Sequence, residues 1–377
     1  MLCSRFVLFT GFLVLTVASA RRSAQLSSAQ LTIATMPRIN PRTCDMVTSN
    51  TVDFKCPGKT TCPAKVPDMT TVHTACKAGH IPTEYLQNMV CRGGRWSSIL
   101  TCKPDCGLLN PSADAKTLPW NVGIYRVNEK TETEHMCGGT LIYSNIVIGA
   151  AHCFFDDNTE GVSTPDSYRV VIGKSVRTWN HEEENDNPYI QKSEVSKIML
   201  HELYDGHSGN QQADVAILVL KTPFKLSDSI RPACYELTDG DFNRNQMTPG
   251  NFGKVVGWGR TETDYDSVTL RMLSLPVVDI KDCRKEMAKH RMRNYVTLDK
   301  FCAGTLDANA LCQGDDGSGL VIPLEETTKS APRYYLRGVV TIGPTNQIGR
   351  CKGNTYTLFT NLYTLRDWLV VNLSRLT

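Results

Sequence analysis

The sequence predicts an all-β protein, a large β body closed by one C-terminal helix and preceded by a small disulfide-rich module. Three observations carry this. From Cys106 onward, apolar runs such as Val170-Val171-Ile172 and Ala216-Ile217-Leu218-Val219-Leu220 alternate with Gly, Asn, Asp and Pro turns, the rhythm of short strands. Between Cys44 and Cys106 seven cysteines fall in a stretch too short to stabilise itself by burial alone. At the end of the chain the period changes, and Leu362, Leu365, Trp368, Leu369, Leu373 and Leu376 fall on one helical face.

Taken in order, the elements divide as follows. Residues 1–20 combine Arg5, an apolar run from Phe6 to Val17 and Ala18-Ser19-Ala20, the pattern of a cleaved secretory signal. That run is too short to span a bilayer, and no later stretch is long enough, so a secreted chain and no membrane partner are expected. Residues 21–43, rich in Ser, Ala and Gln, read as a flexible tail. Residues 44–105 form the small module, 106–118 a linker and 119–377 the β body.

Of 377 residues, 41 are basic and 38 acidic, a net charge of +3 that excludes the strongly basic face of a nucleic-acid binder. With the signal removed, Cys3 leaves too, and fourteen cysteines remain, an even number in a chain bound for an oxidising compartment. Disulfides are therefore expected. Cys-x2-Cys pairs are absent and the histidines do not cluster with cysteines at ligand spacing, so no metal and no cofactor is expected.

Amide hydrolysis by a nucleophile needs an adjacent base, an acid that orients the base, and backbone donors for the oxyanion. Cys137-Gly138-Gly139-Thr140-Leu141-Ile142 leads into Ile148-Gly149-Ala150-Ala151-His152-Cys153, which puts a histidine just after an apolar strand. Asp214 opens the run Asp214-Val215-Ala216-Ile217-Leu218, and Val256-Gly257-Trp258-Gly259 and Cys312-Gln313-Gly314-Asp315 follow. This ordered set resembles the trypsin-like (chymotrypsin-fold) serine proteases from about Leu118 to the end of the chain. The resemblance implies two packed antiparallel β-barrels with an active site between them. It implies His152 as general base, Asp214 as the acid that fixes its tautomer, Gly314 in the oxyanion region and Asp315 as the partner of a freed amino terminus. It also implies disulfides Cys106 to Cys234, Cys137 to Cys153, Cys283 to Cys302 and Cys312 to Cys351.

The pattern breaks at its nucleophile. The family's Gly-Asp-Ser-Gly-Gly reads Gly314-Asp315-Asp316-Gly317-Ser318, with Asp316 in the serine's place. A carboxylate attacking an amide would form a mixed anhydride, higher in energy than the amide, and its charge opposes the developing oxyanion. Ser318 is displaced from Asp316 by up to about 7 Å of extended chain, beyond hydrogen-bond reach of the base. Nor is there an Ile-Val-Gly-Gly activation motif. A cut after Lys116 would leave only Thr117 and Leu118 ahead of Pro119, too short an arm to reach inward. The specificity pocket also departs from trypsin's, since Ala310 stands where trypsin-like members carry an aspartate, Thr341-Ile342-Gly343 replaces Ser-Trp-Gly, and Asn354 replaces a glycine. A small uncharged pocket is expected.

In the module, Cys76-Lys77-Ala78-Gly79-His80 and Cys91-Arg92-Gly93-Gly94-Arg95-Trp96 followed by Cys102 resemble a sushi (complement control protein) module. That resemblance implies first-to-third and second-to-fourth pairing, hence Cys76 to Cys102 and Cys91 to an upstream cysteine, with Cys56 to Cys62 as an extra loop. Three lesser features remain. Glu182-Glu183-Glu184-Asn185-Asp186 is an acidic loop that is either solvated or a calcium ligand set, Lys281 to Arg293 is a basic stretch that is either a solvated helix or a partner patch, and Asn372-Leu373-Ser374 is a glycosylation sequon.

Three functions stay open on the sequence. The first is a secreted serine protease homologue without turnover that regulates or scaffolds an extracellular proteolytic cascade, binding other proteases or recognition proteins. The second is an active serine endopeptidase, and the third a recognition protein working through the sushi-like module.

Overall fold

The computed structural model describes residues 42–49, 51–77, 79–83, 88–109, 117–128, 132–157, 159–182, 187–260, 267–307, 311–324, 331–342 and 354–376. The expected signal segment, most of the tail, Ala310, Gly343, Cys351 and the core of the acidic loop lie outside these residues. No helix among the described residues is long and apolar enough to cross a membrane.

The N-terminal module is built from short strands: β1 (Thr43–Asp45), β2 (Val52–Lys55), β3 (Lys65–Pro67), β4 (Thr71–Cys76), β5 (His80–Pro82), β6 (Asn88–Arg92), β7 (Arg95–Trp96) and β8 (Cys102–Pro104). Its apolar centre is small, with Cys56, Val66, Val72 and Met89 buried and Trp96 packed against them. Cross-links Cys44–Cys91, Cys56–Cys62 and Cys76–Cys102 supply what so small a core cannot.

The body follows. Strands β9 (Asn121–Val127), β10 (Thr133–Tyr143), β11 (Ile146–Gly149), β14 (Tyr168–Ile172), β15 (Gln191–Leu200) and β16 (Ala216–Leu220) close into an antiparallel barrel, the two-residue strands β12 (Phe155–Asp156) and β13 (Gly161–Val162) forming a hairpin beside it. Both faces of β11 and most of β16 are buried, which is why they read as unbroken apolar runs. The second sheet has six strands in the order β18-β17-β20-β21-β22-β19, formed by β17 (Phe252–Gly257), β18 (Arg271–Pro276), β19 (Lys300–Ala303), β20 (Gly319–Leu324), β21 (Arg333–Ile342) and β22 (Thr357–Asn361). Its two edges meet at the bridge between Val277 and Ala303, so it curls into a barrel-like form.

One apolar cluster joins the halves, combining Ile124, Leu141, Ile148 and Leu218 with Val256, Trp258, Val321 and Leu336. The closing helix is shorter than the apolar period suggests. A 3-10 turn at Leu362–Leu365 precedes α3 (Arg366–Leu373), while α1 (Gly240–Gln246) and α2 (Ile280–Lys289) come earlier. Leu362, Leu369 and Leu373 are buried in the joint cluster, and the Trp368 ring lies 5.1 Å from that of His201, so the helix leaves the second barrel and packs back on the first.

Among the described residues, the module is fixed to the body at a junction around Cys106. Cys106 bonds to Cys234, and Asp105 accepts from Arg231 Nη1 at 2.5 Å and Arg333 Nη1 at 2.9 Å. Gly79, at φ +78°, lets the module backbone come against Leu226, where any side chain would collide with that Cβ.

Candidate active site

Strand pairing brings the dyad together. In the β11–β16 register Gly149 faces Ala216, so His152, three residues past one strand, and Asp214, two before the other, emerge at the same barrel end. His152 lies in a 3-10 turn (Ala151–Cys153) tied to β10 by the Cys137–Cys153 disulfide. The two sulfurs beside His152 are bonded to each other, which removes them as metal ligands. His152 Nδ1 lies 2.8 Å from Asp214 Oδ2, and the His152 backbone N–H donates to Asp214 Oδ1 at 2.9 Å. Asp214 is fully buried, and both Thr341 Oγ1 and Thr360 Oγ1 donate to it, the first to Oδ2 and the second, at 2.9 Å, to its carbonyl.

Asp214 is also held through its backbone. Ala213, at φ +56°, begins a tight turn in which Val215 N–H donates to Ala213 O at 2.8 Å. The strained Ala213 N–H donates to Asp299 Oδ2 at 2.9 Å, and the same carboxylate oxygen takes Lys300 Nζ at 2.6 Å. Lys300 has no exposed side-chain surface, so this is a buried ion pair clamping the turn that carries Asp214.

The loop from Cys312 to Gly317 completes the site. The Asp316 carbonyl accepts from Gly138 N–H of the first barrel at 2.7 Å, and Gly317 N–H donates to Val340 O of the second at 2.9 Å. Asp316 lies at the cleft with His152, Gln313 and Thr341. Its own Oδ2 accepts the Gly314 N–H at 3.3 Å, a donor that an oxyanion would otherwise use. Asp315 is buried, with Oδ1 accepting from Gly259 N–H at 2.7 Å and Oδ2 from Cys312 N–H at 3.0 Å. Gly257 and Gly259 make room for that carboxylate, since a Cβ at either would overlap it.

The electrostatics follow from this packing. Burial pulls the His152 imidazole down, but the Asp214 charge and hydrogen bond, with help from Asp316, outweigh it and raise its pKa to about 9. Asp214 is pulled below the ordinary aspartate value by His152, Lys300 and Thr341 against the opposing effect of burial. Burial pushes Asp316 up against the pull of His152 and Gly314, and burial likewise lifts Asp315 to about 6 despite its two backbone donors. At neutral pH the dyad is thus an imidazolium held by the Asp214 carboxylate, an acid rather than a base.

The cleft has a volume of about 550 Å3, with Tyr204, His207 and Asp157 on one side and Met292 and Tyr295 among its other lining residues. Tyr204 Oη donates to Gln211 Oε1 at 2.5 Å.

Ser318 stays out of reach of the base, as the sequence implies: it is fully buried, its Oγ packed against Gly138 with no hydrogen-bond partner among the described residues, and it does not line the cleft. Thr341 binds Asp214 rather than serving only as a pocket wall. Asn354 is exposed and outside the cleft lining. Asn372, expected to carry a glycan, is 8% exposed, and its Nδ2, the atom a glycan would occupy, donates to Trp368 O at 2.9 Å, so the folded geometry opposes attachment. Cys283–Cys302 and Cys106–Cys234 are bonded, and Cys312 is disulfide-bonded, its expected partner Cys351 lying outside the described residues. The Lys300–Asp299 clamp was missed, although a lysine opening the buried strand Lys300-Phe301-Cys302-Ala303 is an audible signal.

Fold and dyad define a protein of the chymotrypsin-like class. The trypsin family profile matches residues 110–369, and the chain belongs to that family. It is 28% identical to the modular serine protease of Drosophila melanogaster over 82% of this chain and 49% of that protein. It is 29% identical to Limulus clotting factor C of Carcinoscorpius rotundicauda over 73% of this chain and 27% of the relative, and 30% identical to melanization protease 1 of Drosophila melanogaster over 66% and 63%. The chain therefore spans about half the length of the first of these relatives and about a quarter of the second.

Proposed function

We propose that this chain is a secreted serine protease homologue without peptidase turnover, which regulates or scaffolds an extracellular proteolytic cascade. The observation that carries the reading is Asp316, whose carboxylate stands at the nucleophile position and accepts the Gly314 N–H. One side chain thereby removes the nucleophile and occupies an oxyanion donor, and it adds to the hold of Asp214 on the His152 proton. Ser318, fully buried, offers no substitute. The cascade follows from relatives named for clotting and melanization, and secretion from the signal-like first twenty residues and the disulfides. Pairing of the module's four principal cysteines first to third and second to fourth supports a sushi-like module at 44–105, ahead of a linker and the protease body.

A fluorophosphonate probe tests the reading. No covalent labelling is expected, and stoichiometric labelling at Ser318 would establish an active endopeptidase instead. Asp316→Ser restores the triad's residue types, yet peptidase turnover is expected to stay absent. Asp315 is committed to Gly259 and Cys312, and no cut after Lys116 frees an arm long enough to reach it. Turnover on peptide esters within about tenfold of ordinary family members would make Asp316 the sole lesion.

A further inference from the structure

Beside the cleft, α2 and the turn after it present a row of exposed basic side chains. Cys283, Glu286 and Met287 face inward, the first bonded to Cys302, while Lys281, Arg284, Lys285 and Lys289 are exposed along the outer face. Arg291 and Arg293 extend this row past the helix end. Residues 279–295 hold six lysines and arginines against three carboxylates, an excess equal to the +3 of the whole chain. Glu286 is taken by Lys289 and His290, and Asp279 caps the helix, leaving Asp282 exposed. Lys281, Arg284, Lys285, Arg291 and Arg293 have no ion pair among the described residues.

A charged helix alone is ordinarily just solvated. A second observation lies on the same stretch of chain, just past Arg293. Leu298 is 91% exposed at the tip of a turn that Lys300 N–H closes onto Thr297 O at 3.2 Å, and the Asp299–Lys300 pair anchors that turn from below. Ile280, at the other end, is 36% exposed. Met292 and Tyr295, between the cation row and Leu298 in the chain, line the cleft.

We infer that this face docks an acidic protein segment bearing an apolar side chain, its carboxylates pairing with the cation row and its apolar residue covering Leu298. A sulfated polysaccharide would satisfy the cations but leave Leu298 in water. Arginine forks at 284, 291 and 293 suit carboxylates bidentately. A segment gripped here runs along the cleft wall, whether or not the cleft turns substrate over, so this docking stands apart from the question of catalysis.

The test uses the full chain and a fluorescent peptide of aspartate and glutamate around a central Phe-Leu pair, followed by anisotropy. Saturable binding is expected, weakened about tenfold or more when salt is raised from about 0.05 to about 0.5 M. Replacing the peptide's Phe-Leu by serines, or Leu298→Ser in the protein, is expected to weaken binding about five- to tenfold, and Leu298→Met to retain it. Lys281→Glu, Arg284→Glu and Lys285→Glu together should abolish it, with thermal unfolding confirming that each variant folds. Binding of a heparin oligosaccharide as tight as the peptide and indifferent to Leu298→Ser would overturn the inference in favour of a bare polyanion surface. Absence of saturable peptide binding would overturn it outright.

Discussion

At the scale of single residues, the site is governed by how burial and neighbouring charge are shared among His152, Asp214 and Asp316. Since the His152 pKa is raised to about 9, above the ordinary histidine value, its pairing stabilises the fold fully below about pH 6.5. That contribution is lost as pH rises through about 9. Denaturation midpoints are therefore expected to fall between these limits, and an NMR titration of His152 to give a midpoint near 9. Because the Asp316 charge raises that pKa, Asp316→Ala should move the midpoint downward. A midpoint near the ordinary value in the native protein would remove the charged-dyad account.

Among the elements, β19 and its preceding turn matter most for the site. Lys300 sits with no exposed side-chain surface, and its partner Asp299 holds the left-handed Ala213 N–H. Lys300→Met leaves that carboxylate buried without its cation, an expected loss of about 3–5 kcal/mol in chemical denaturation. Lys300→Met with Asp299→Asn should recover much of it, since no uncompensated charge remains. A readout separates electrostatics from mere loosening. Lys300 lowers the His152 pKa, so removing the cation with the dyad intact raises the titration midpoint, whereas a released dyad would drop toward the ordinary histidine value.

For the whole molecule, module and body are held together where, among the described residues, a junction combines a covalent and an ionic link. Cys106–Cys234 closes a separation of 128 residues, and Asp105 neutralises Arg231 and Arg333, both of which are largely buried. Asp105→Ala takes a carboxylate from both guanidinium groups, although Arg231 retains Asp228 and Arg333 retains the Cys106 carbonyl. A loss of about 1–3 kcal/mol is expected, together with faster proteolytic release of the module, read by limited proteolysis. Unchanged proteolysis would mean that the disulfide alone holds the junction.

The class of fold and the types and order of the site residues are legible in the order of amino acids alone. Apolar strand periods, paired cysteines, His152, Asp214 and the aspartate at 316 are local or compositional features that need no coordinates to read. What those side chains do depends on how the chain packs. Ser318 and Asp316 are two residues apart, yet one is buried against Gly138 and the other faces the cleft, because the loop between them is pinned by strands from both barrels. The Asn372 sequon is local, whereas the burial of its amide is decided by the packing of α3 on the first barrel. Lys300 reads as one charge in a strand until the fold brings Asp299 under Ala213. Hydrogen-bond capture and desolvation act over a few ångströms between residues as far apart in the chain as Asp214 and Thr341, so their outcome belongs to the packed fold.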